Sequence, residues 1–433
     1  MTRFIRFRRS METITISEPK PEHTGNAFLP PVALVSLNQD SSAEIRPIVI
    51  EGNRVREGQL IARGVQPDCT RIHAPIPGFL RSFKNIQGPD GASSLAAEIV
   101  LSGSFDILGR KEENYQWKTA PESEIIRILE DKGVVSTFDE PEPLVHLIRA
   151  AKKHKKTIIV VRMFDLDPTC QLDSFLAEKF FVQVVEGAGL IAHSINTKEI
   201  LFIHDDKKED AFKESKFKEL LGTIDPIVVK TDNRYPSGNR KQLILAMDEQ
   251  FKKRNMVFID PSTALSAYEA VVKNKPVLYR HVFVSGPALS RAAVLKVRIG
   301  TPVANLIMEC GGFSTNPSRI VINGLITGTS VLDLSTPITK TTKSIHIMDK
   351  ETCPEYNVYS CIRCGRCLQV CPMYLDPMEL VEAVKNDQIT KQIAKGIDAC
   401  QHCGCCTMVC PSRIPLHHIL SDAQITGKTG ALQ

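Results

Sequence analysis

The chain has 433 residues, 42% hydrophobic and 24% charged, with a net charge of +5, a soluble composition long enough for about three domains. So small a charge argues against nucleic-acid binding, and the basic runs at 152–156 and 252–254 read as solvated helix ends. No apolar run approaches the ~20 residues needed to span a bilayer, and the basic stretch at 3–9 lacks the apolar core of a signal peptide, so any membrane role comes through partners.

From Ala27 to Ile107, β-branched residues, turns and short apolar runs predict short strands. The phrases Glu51 to Gln59 and His73 to Gly78 look like the two corners of a lipoyl-type barrel-sandwich domain, with glycines where turns need positive φ. No lysine stands at the hairpin tip where lipoate or biotin would be carried, so the unit reads as structural or docking. From Glu122 to Met256, amphipathic helices (Ser123 to Asp131, Glu142 to Lys152) alternate with apolar strands (Thr157 to Met163, Leu201 to His204, Pro226 to Lys230), which predicts an α/β layer. Strands at Val277 to Ser285, Ala293 to Ile299 and Ser318 to Val321, with a helix at Val303 to Cys310, predict a small β-grasp unit. One helix is expected from Leu375 to Ala394, with Asp376 as N-cap and Pro377 at N1. The reading is a multidomain α+β protein: an N-terminal segment (1–26), a barrel-sandwich domain (27–112), an α/β layer (113–275), a β-grasp domain (276–345), a helical ferredoxin domain (346–424) and a tail (425–433).

Eight of the thirteen cysteines stand in two copies of one spacing, Cys361, Cys364, Cys367, Cys371-Pro372 and Cys400, Cys403, Cys406, Cys410-Pro411. This is the bacterial two-cluster ferredoxin pattern, in which three close thiolates hold one [4Fe-4S] cube and the cysteine before proline turns to the other. The expected metal ligands are therefore Cys361, Cys364, Cys367 with Cys410, and Cys400, Cys403, Cys406 with Cys371. A zinc ribbon is the alternative, but tetrahedral zinc takes two Cys-x2-Cys pairs and has no use for a third cysteine and a Cys-Pro each time. Cys405 reads as a bystander beside the second cluster, and Cys69, Cys170, Cys310 and Cys353 as scattered thiols, with Cys69, Cys170 and Cys310 small buried residues by default. Labile clusters with free thiols indicate a reducing compartment.

The chain resembles the C subunit of the Rnf electron-transport complex along nearly its whole length. The two corners carry the resemblance, together with Tyr235-Pro236-x-Gly238-x-x-Lys241-Gln242-Leu243, Ile299-Gly300-Thr301-Pro302, Gly311-Gly312, Lys340-Thr341-Thr342 and the doubled cysteine motif. It implies that the α/β layer is a flavin- and NADH-domain-like unit and the β-grasp unit a soluble-ligand-binding type. It also implies electron transfer coupled by partner subunits to ion transport. The expected partners are the other Rnf-type membrane and iron-sulfur subunits, with a ferredoxin- or flavodoxin-type carrier. The expected location is peripheral, on the cytoplasmic face of the cell membrane. A soluble iron-sulfur flavoprotein reductase, of the cobalamin-reductase or proline-reductase-associated kind, is the alternative.

One departure falls on the flavin half. The family's glycine-rich loop would let backbone N–H groups approach phosphate at a helix start. Here the stretch runs Gly133-Val-Val-Ser-Thr-Phe-Asp-Glu-Pro-Glu-Pro143, with Ser136, Phe138, Asp139 and Pro141 where the family has glycine. Phe138 and Pro141 stand against that approach, and Asp139 and Glu140 add like charge. The expected cofactors are two [4Fe-4S] clusters, with FMN and NAD(H) binding altered or lost. If the site retains any flavin or NAD(H), Gly133, Asp165 and Asp167 are the residues to hold it.

Overall fold

The computed structural model describes residues 3–5, 23–40, 45–66, 69–103, 114–208, 211–232 and 234–426. Most of the basic N-terminal stretch, the 112/113 boundary and most of the tail lie outside them. Strands Val32–Ser36, Ser93–Leu101, Gly78–Gln87 and Arg54–Val55 form one antiparallel sheet, and Ile45–Pro47, Leu60–Gly64 and Arg71–His73 a second. Ala33, Val35, Ile61, Ile72, Leu80 and Ile99 pack between them. The two expected corners meet: Gly58 N–H donates to the Ala74 carbonyl at 2.9 Å, and Ala74 N–H to the Gln59 carbonyl at 2.8 Å. Gly52 and Gly58 adopt φ of +83° and +78°, the left-handed region that favours glycine.

The α/β layer is a parallel sheet in the order Arg3–Ile5, Asp225–Thr231, Glu199–Asp205, Thr157–Arg162, Asn255–Ile259. Every residue of Thr157–Arg162 is buried, as expected of a central strand covered on both faces. Helices Glu122–Asp131, Leu144–Lys152, Phe181–Ile195 and Pro261–Val271 contribute to the core on one face. Arg240–Ala246 and Glu249–Lys252 contribute to that on the other. The helices Phe181–Ile195 and Pro261–Val271 approach so closely that a Cβ on Gly187 would lie 2.0 Å from the Ala264 carbonyl oxygen.

A six-stranded mixed sheet follows, in the order Thr329–Val331, Pro317–Ile322, Ser344–Asp349, Tyr279–Ser285, Ala293–Arg298, His23–Asn26. Val303, Leu306 and Ile307 of the helix Val303–Glu309 pack in its core. Two of these strands correct the sequence reading. His23–Asn26 comes from the segment set apart as 1–26, and Ser344–Asp349 runs across the 345/346 boundary; both take their strand form from neighbours distant in sequence. A third correction concerns the expected helix 375–394, which is two helices, Pro377–Lys385 and Lys391–Ala399. Asp387 adopts φ of +50° after the first, and the Thr390 hydroxyl caps the second by accepting from Ile393 N–H at 3.3 Å. Asp376 caps the first as expected, accepting from Met378 and Glu379 N–H at 3.0 and 3.2 Å.

Lys340, in the phrase Lys340-Thr341-Thr342, ties three of these units together. Its buried ammonium donates to the carbonyls of Gly133 at 2.7 Å and Arg71 at 2.8 Å. Burial lowers its pKa from 10.5 to about 7. Between those values the unfolded chain binds the extra proton, so this group's contribution to stability is complete above pH 10.5 and is lost as the pH falls to 7. The stability difference between wild type and Lys340→Met should therefore shift toward wild type as pH rises through this window, by on the order of a few kcal/mol. Denaturant unfolding at several pH values checks it.

Candidate functional site

The two cysteine motifs repeat in backbone as well as in sequence. Positive φ recurs at matching positions, Arg363 and His402, Gly365 and Gly404, Tyr374 and Arg413. A short helix follows each of the glycines after the second cysteine, Arg366–Val370 and Cys405–Met408. These left-handed residues fold each Cys-x2-Cys-x2-Cys back on itself. Arg363 N–H donates to the Cys361 sulfur at 3.3 Å and Leu375 N–H to the Cys371 sulfur at 3.4 Å. Donors to sulfur stabilise the anionic thiolate form and raise a cluster's reduction potential.

Cys371 lines one small apolar cavity together with Cys400, Cys403 and Cys406. The cysteine before Pro372 thus sits beside the cysteines of the second motif. Cys405 lines the same cavity, fully buried, and its thiol donates a hydrogen bond to Cys403, which pulls the Cys403 pKa down. Burial pushes Cys400 up to about 11 and Cys406 up to about 12, so loading iron there displaces protons. Among the described residues no three His, Cys, Asp or Glu converge on a single metal ion. A cube held at its corners instead needs thiolates spread around a cavity, and this set fits one. The first set differs in exposure: Cys361 and Cys364 are exposed, Cys367 and Cys410 partly so. Of the scattered cysteines, Cys170 and Cys310 are buried as read, while Cys69 is only partly so.

The phrase Tyr235 to Leu243, to which the sequence assigned no role, grips the second motif. The Tyr235 hydroxyl donates to the Cys403 carbonyl at 2.5 Å, and Gln242 Nε2 to the Pro372 carbonyl and Gln401 Oε1 at 3.4 Å each. The α/β layer therefore holds this cysteine set directly, with Cys371 and Cys406 buried and Cys400 and Cys403 half-buried.

A cavity of about 470 Å³ opens between the α/β layer, the barrel and the six-stranded sheet, lined by Thr137 to Pro141, Asp165, Asp167, Asn323 and Lys343 among others. The rebuilt loop forms one wall, but its groups are engaged with the protein. Thr137 N–H donates to Thr263 Oγ1 at 2.9 Å and its hydroxyl to Asp260 at 2.9 Å. The Phe138 ring is 1% exposed and packs in the core, with the Arg162 guanidinium 4.2 Å from its centroid and the Phe258 ring at 5.3 Å. The sequence reading set Phe138 against an approaching phosphate; it acts instead as the loop's anchor. Asp139 pairs with Arg240 at 2.5 Å, so the loop's negative charge is partly answered from within the protein, and a His146 ring nitrogen lies 3.0 Å from the Glu142 carboxylate.

Asp165 and Asp167 both line this cavity, with their oxygens already bonded. Asp165 accepts from Asp173 N–H at 2.7 Å and Ser174 N–H at 3.1 Å, which closes the start of helix Leu172–Lys179 to an external anion. Burial first, then neighbouring Asp173, raises its pKa to about 6. Asp167 accepts from Thr169 N–H at 2.9 Å and from Ile326 and Thr327 N–H at 2.8 and 3.0 Å. Gly133 is not brought to the cavity: it turns the chain at φ +68°, where a Cβ would lie 2.2 Å from the Arg71 carbonyl oxygen. The residues present do not form an open phosphate cradle. In the cavity wall, Lys343 bridges Asp173 and Asp260 at 2.6 Å each, with fully buried Arg162 3.7 Å from Asp173. Burial opposes ionisation of Asp260, but Lys343 and Arg162 outweigh it and hold its carboxyl well below the usual range.

Three sequence profiles match: the RnfC barrel sandwich hybrid domain at residues 15–103, the SLBB domain at 281–330 and the 4Fe-4S dicluster domain at 360–414. The C subunit of the ion-translocating oxidoreductase complex of Rhodobacter capsulatus is 28% identical over 81% of this chain and 69% of its own length. The C subunit of the proton-translocating ferredoxin:NAD(+) oxidoreductase complex of Clostridium ljungdahlii is 27% identical over 82% and 79%. The Na(+)-translocating counterpart of Acetobacterium woodii is 24% identical over 82% and 81%. Among solved structures, a chain of an NAD+-reducing [NiFe]-hydrogenase in the H2-reduced state aligns with a TM-score of 0.50 at 11% identity, over 76% of this chain and 69% of that one, a likeness of fold alone. With the barrel-sandwich and dicluster domains both matched, and the similarity running over four-fifths of its length, the chain is an RnfC-like subunit.

Proposed function

We propose that this chain is the electron-transfer subunit of an Rnf-type complex, held peripherally at the cytoplasmic face of the membrane by partner subunits that couple the transfer to ion transport. Among the described residues no helix is long and apolar enough to cross a membrane, which leaves attachment to partners. The observation that carries the reading is the gathering of Cys371 with Cys400, Cys403 and Cys406 around one cavity, in a chain similar to the C subunits of such complexes along most of its length. The ligand sets are Cys361, Cys364, Cys367 with Cys410, and Cys400, Cys403, Cys406 with Cys371. When bound, a [4Fe-4S] cluster takes up and gives back one electron without changing its ligands. The thiolates hold position through the left-handed turns, and Tyr235 and Gln242 fix the second set against the α/β layer.

The proposed domains are the barrel sandwich (27–112), the flavin-domain-like layer (113–275), the β-grasp unit, extended to Asp349 by its central strand, and the helical ferredoxin domain beyond. On this reading FMN and NAD(H) binding is lost, because Asp165, Asp167 and Thr137 are already engaged with backbone or side chains. Anaerobically prepared protein incubated with FMN and NADH should keep no stoichiometric flavin and show no NADH-driven bleaching of its clusters, while dithionite bleaches them. Tight FMN with rapid bleaching by NADH would restore the ordinary NADH-linked role. Cell fractionation should find the chain in membranes with partner subunits co-expressed and in the soluble fraction without them.

A further inference from the structure

The exposed cysteine set lies in an unusual surface. Every residue from 354 to 364 is exposed and outside regular secondary structure. Within this arm Tyr356, Val358, Tyr359 and Ile362 are 59%, 56%, 62% and 68% exposed. The arm is nevertheless anchored: Tyr359 N–H donates to the Ser412 carbonyl at 3.0 Å, and Ser412 Oγ to the Ser360 carbonyl at 2.9 Å. Arg413 stacks on Tyr356, 4.7 Å from the ring centroid. Arg363, Arg366 and Arg413 are all exposed, and the opposing charge on the arm is Glu355, so the face is net positive.

Large apolar side chains left in water on an ordered arm mark an interaction site, and tyrosine with arginine is the composition enriched in protein interfaces. Cys361 and Cys364 open into the same face, where an uncovered redox centre would meet solvent. We propose that this arm is the docking face for an acidic protein electron carrier, whose apolar, redox-bearing surface covers Cys361 and Cys364 while its carboxylates meet Arg363, Arg366 and Arg413. The proposal rests on the electron-transfer reading above and names the partner chemistry of its exposed end. One electron passes between the carrier and the cluster held by the Cys361 set, in the direction of the higher potential. Opposite charge steers such encounters and makes their rate fall with salt.

The test uses the cluster-loaded full chain with an acidic bacterial-type ferredoxin as probe and basic cytochrome c as contrast. Binding to immobilised ferredoxin and stopped-flow electron transfer are measured separately. Binding should weaken steeply with salt and fall about tenfold or more in Arg366→Glu/Arg413→Glu, while cytochrome c responds in the opposite sense. Val358→Asp, placed away from the ligand cysteines, should also weaken ferredoxin binding without loss of iron, which separates docking from cluster damage. Unchanged ferredoxin binding in iron-replete variants, or equal losses with both carriers, overturns the docking face. Salt-sensitive binding without electron transfer would leave the face standing and overturn the electron-transfer reading.

Discussion

Cys371→Ala should leave the protein with one cluster, and the missing one should be that of the Cys400 motif. Cys371 belongs by sequence to the first motif, yet it lines the cavity of Cys400, Cys403 and Cys406. Iron and sulfide should fall from about eight of each per chain to about four, and the EPR spectrum of the reduced variant should lose the magnetic coupling between two neighbouring clusters. Cys364→Ala should take away the other half. Cys405→Ala, beside the same cavity but outside the repeat, should keep both clusters. Losing its hydrogen bond to the Cys403 sulfur should lower the reduction potential of the second cluster, because a donor to sulfur favours the more negative, reduced state. Loss of iron in Cys405→Ala would make that residue a ligand and overturn the assignment of Cys371.

Lys343→Met should destabilise the α/β layer by about 3–5 kcal/mol near neutral pH. The ammonium bridges two fully buried carboxylates at 2.6 Å, and removing one partner of a buried pair leaves uncompensated charge. The sign of the pH dependence follows from Asp260, whose carboxyl is held below its usual 3.8. Its contribution is present above 3.8 and is lost as the pH falls through the lower folded value. The gap between wild type and Lys343→Met should therefore be widest above this point and narrow on acidification, as the stranded carboxyls of the variant take up protons. Thermal unfolding followed by circular dichroism at several pH values measures it. A gap that stays constant with pH would mean that packing around the lysine stem, not its charge, is what Lys343 contributes.

Parts of this architecture were legible because their causes are local. A thiolate set is written directly in the spacing of Cys361 to Cys371 and Cys400 to Cys410, since a few residues between ligands decide which can reach one cluster. Asp376-Pro377 announces a helix start because a cap needs only the next three backbone N–H groups. The corner glycines Gly52 and Gly58 were legible in the same way, through a backbone angle that other residues adopt with strain.

The acidic loop shows where local reasoning ran out. From the sequence, Asp139 and Glu140 face a phosphate site and Phe138 blocks it. In the fold Asp139 meets Arg240, about a hundred positions away, and Phe138 drops into the core against Phe258. The strands His23–Asn26 and Ser344–Asp349 are likewise too short to declare themselves, and they form because a sheet edge and a sheet centre are there to receive them. The sequence by itself determined the doubled cysteine spacing, where the chain changes texture and that residues 133–143 depart from the glycine-rich loop its resemblance implies. Only the tertiary structure decided that one cysteine set packs against the Tyr235 phrase, while Cys361 and Cys364 of the other lie open on an apolar, arginine-bearing arm. Burial and charge pairing depend on which distant surfaces meet, and no local spacing records that.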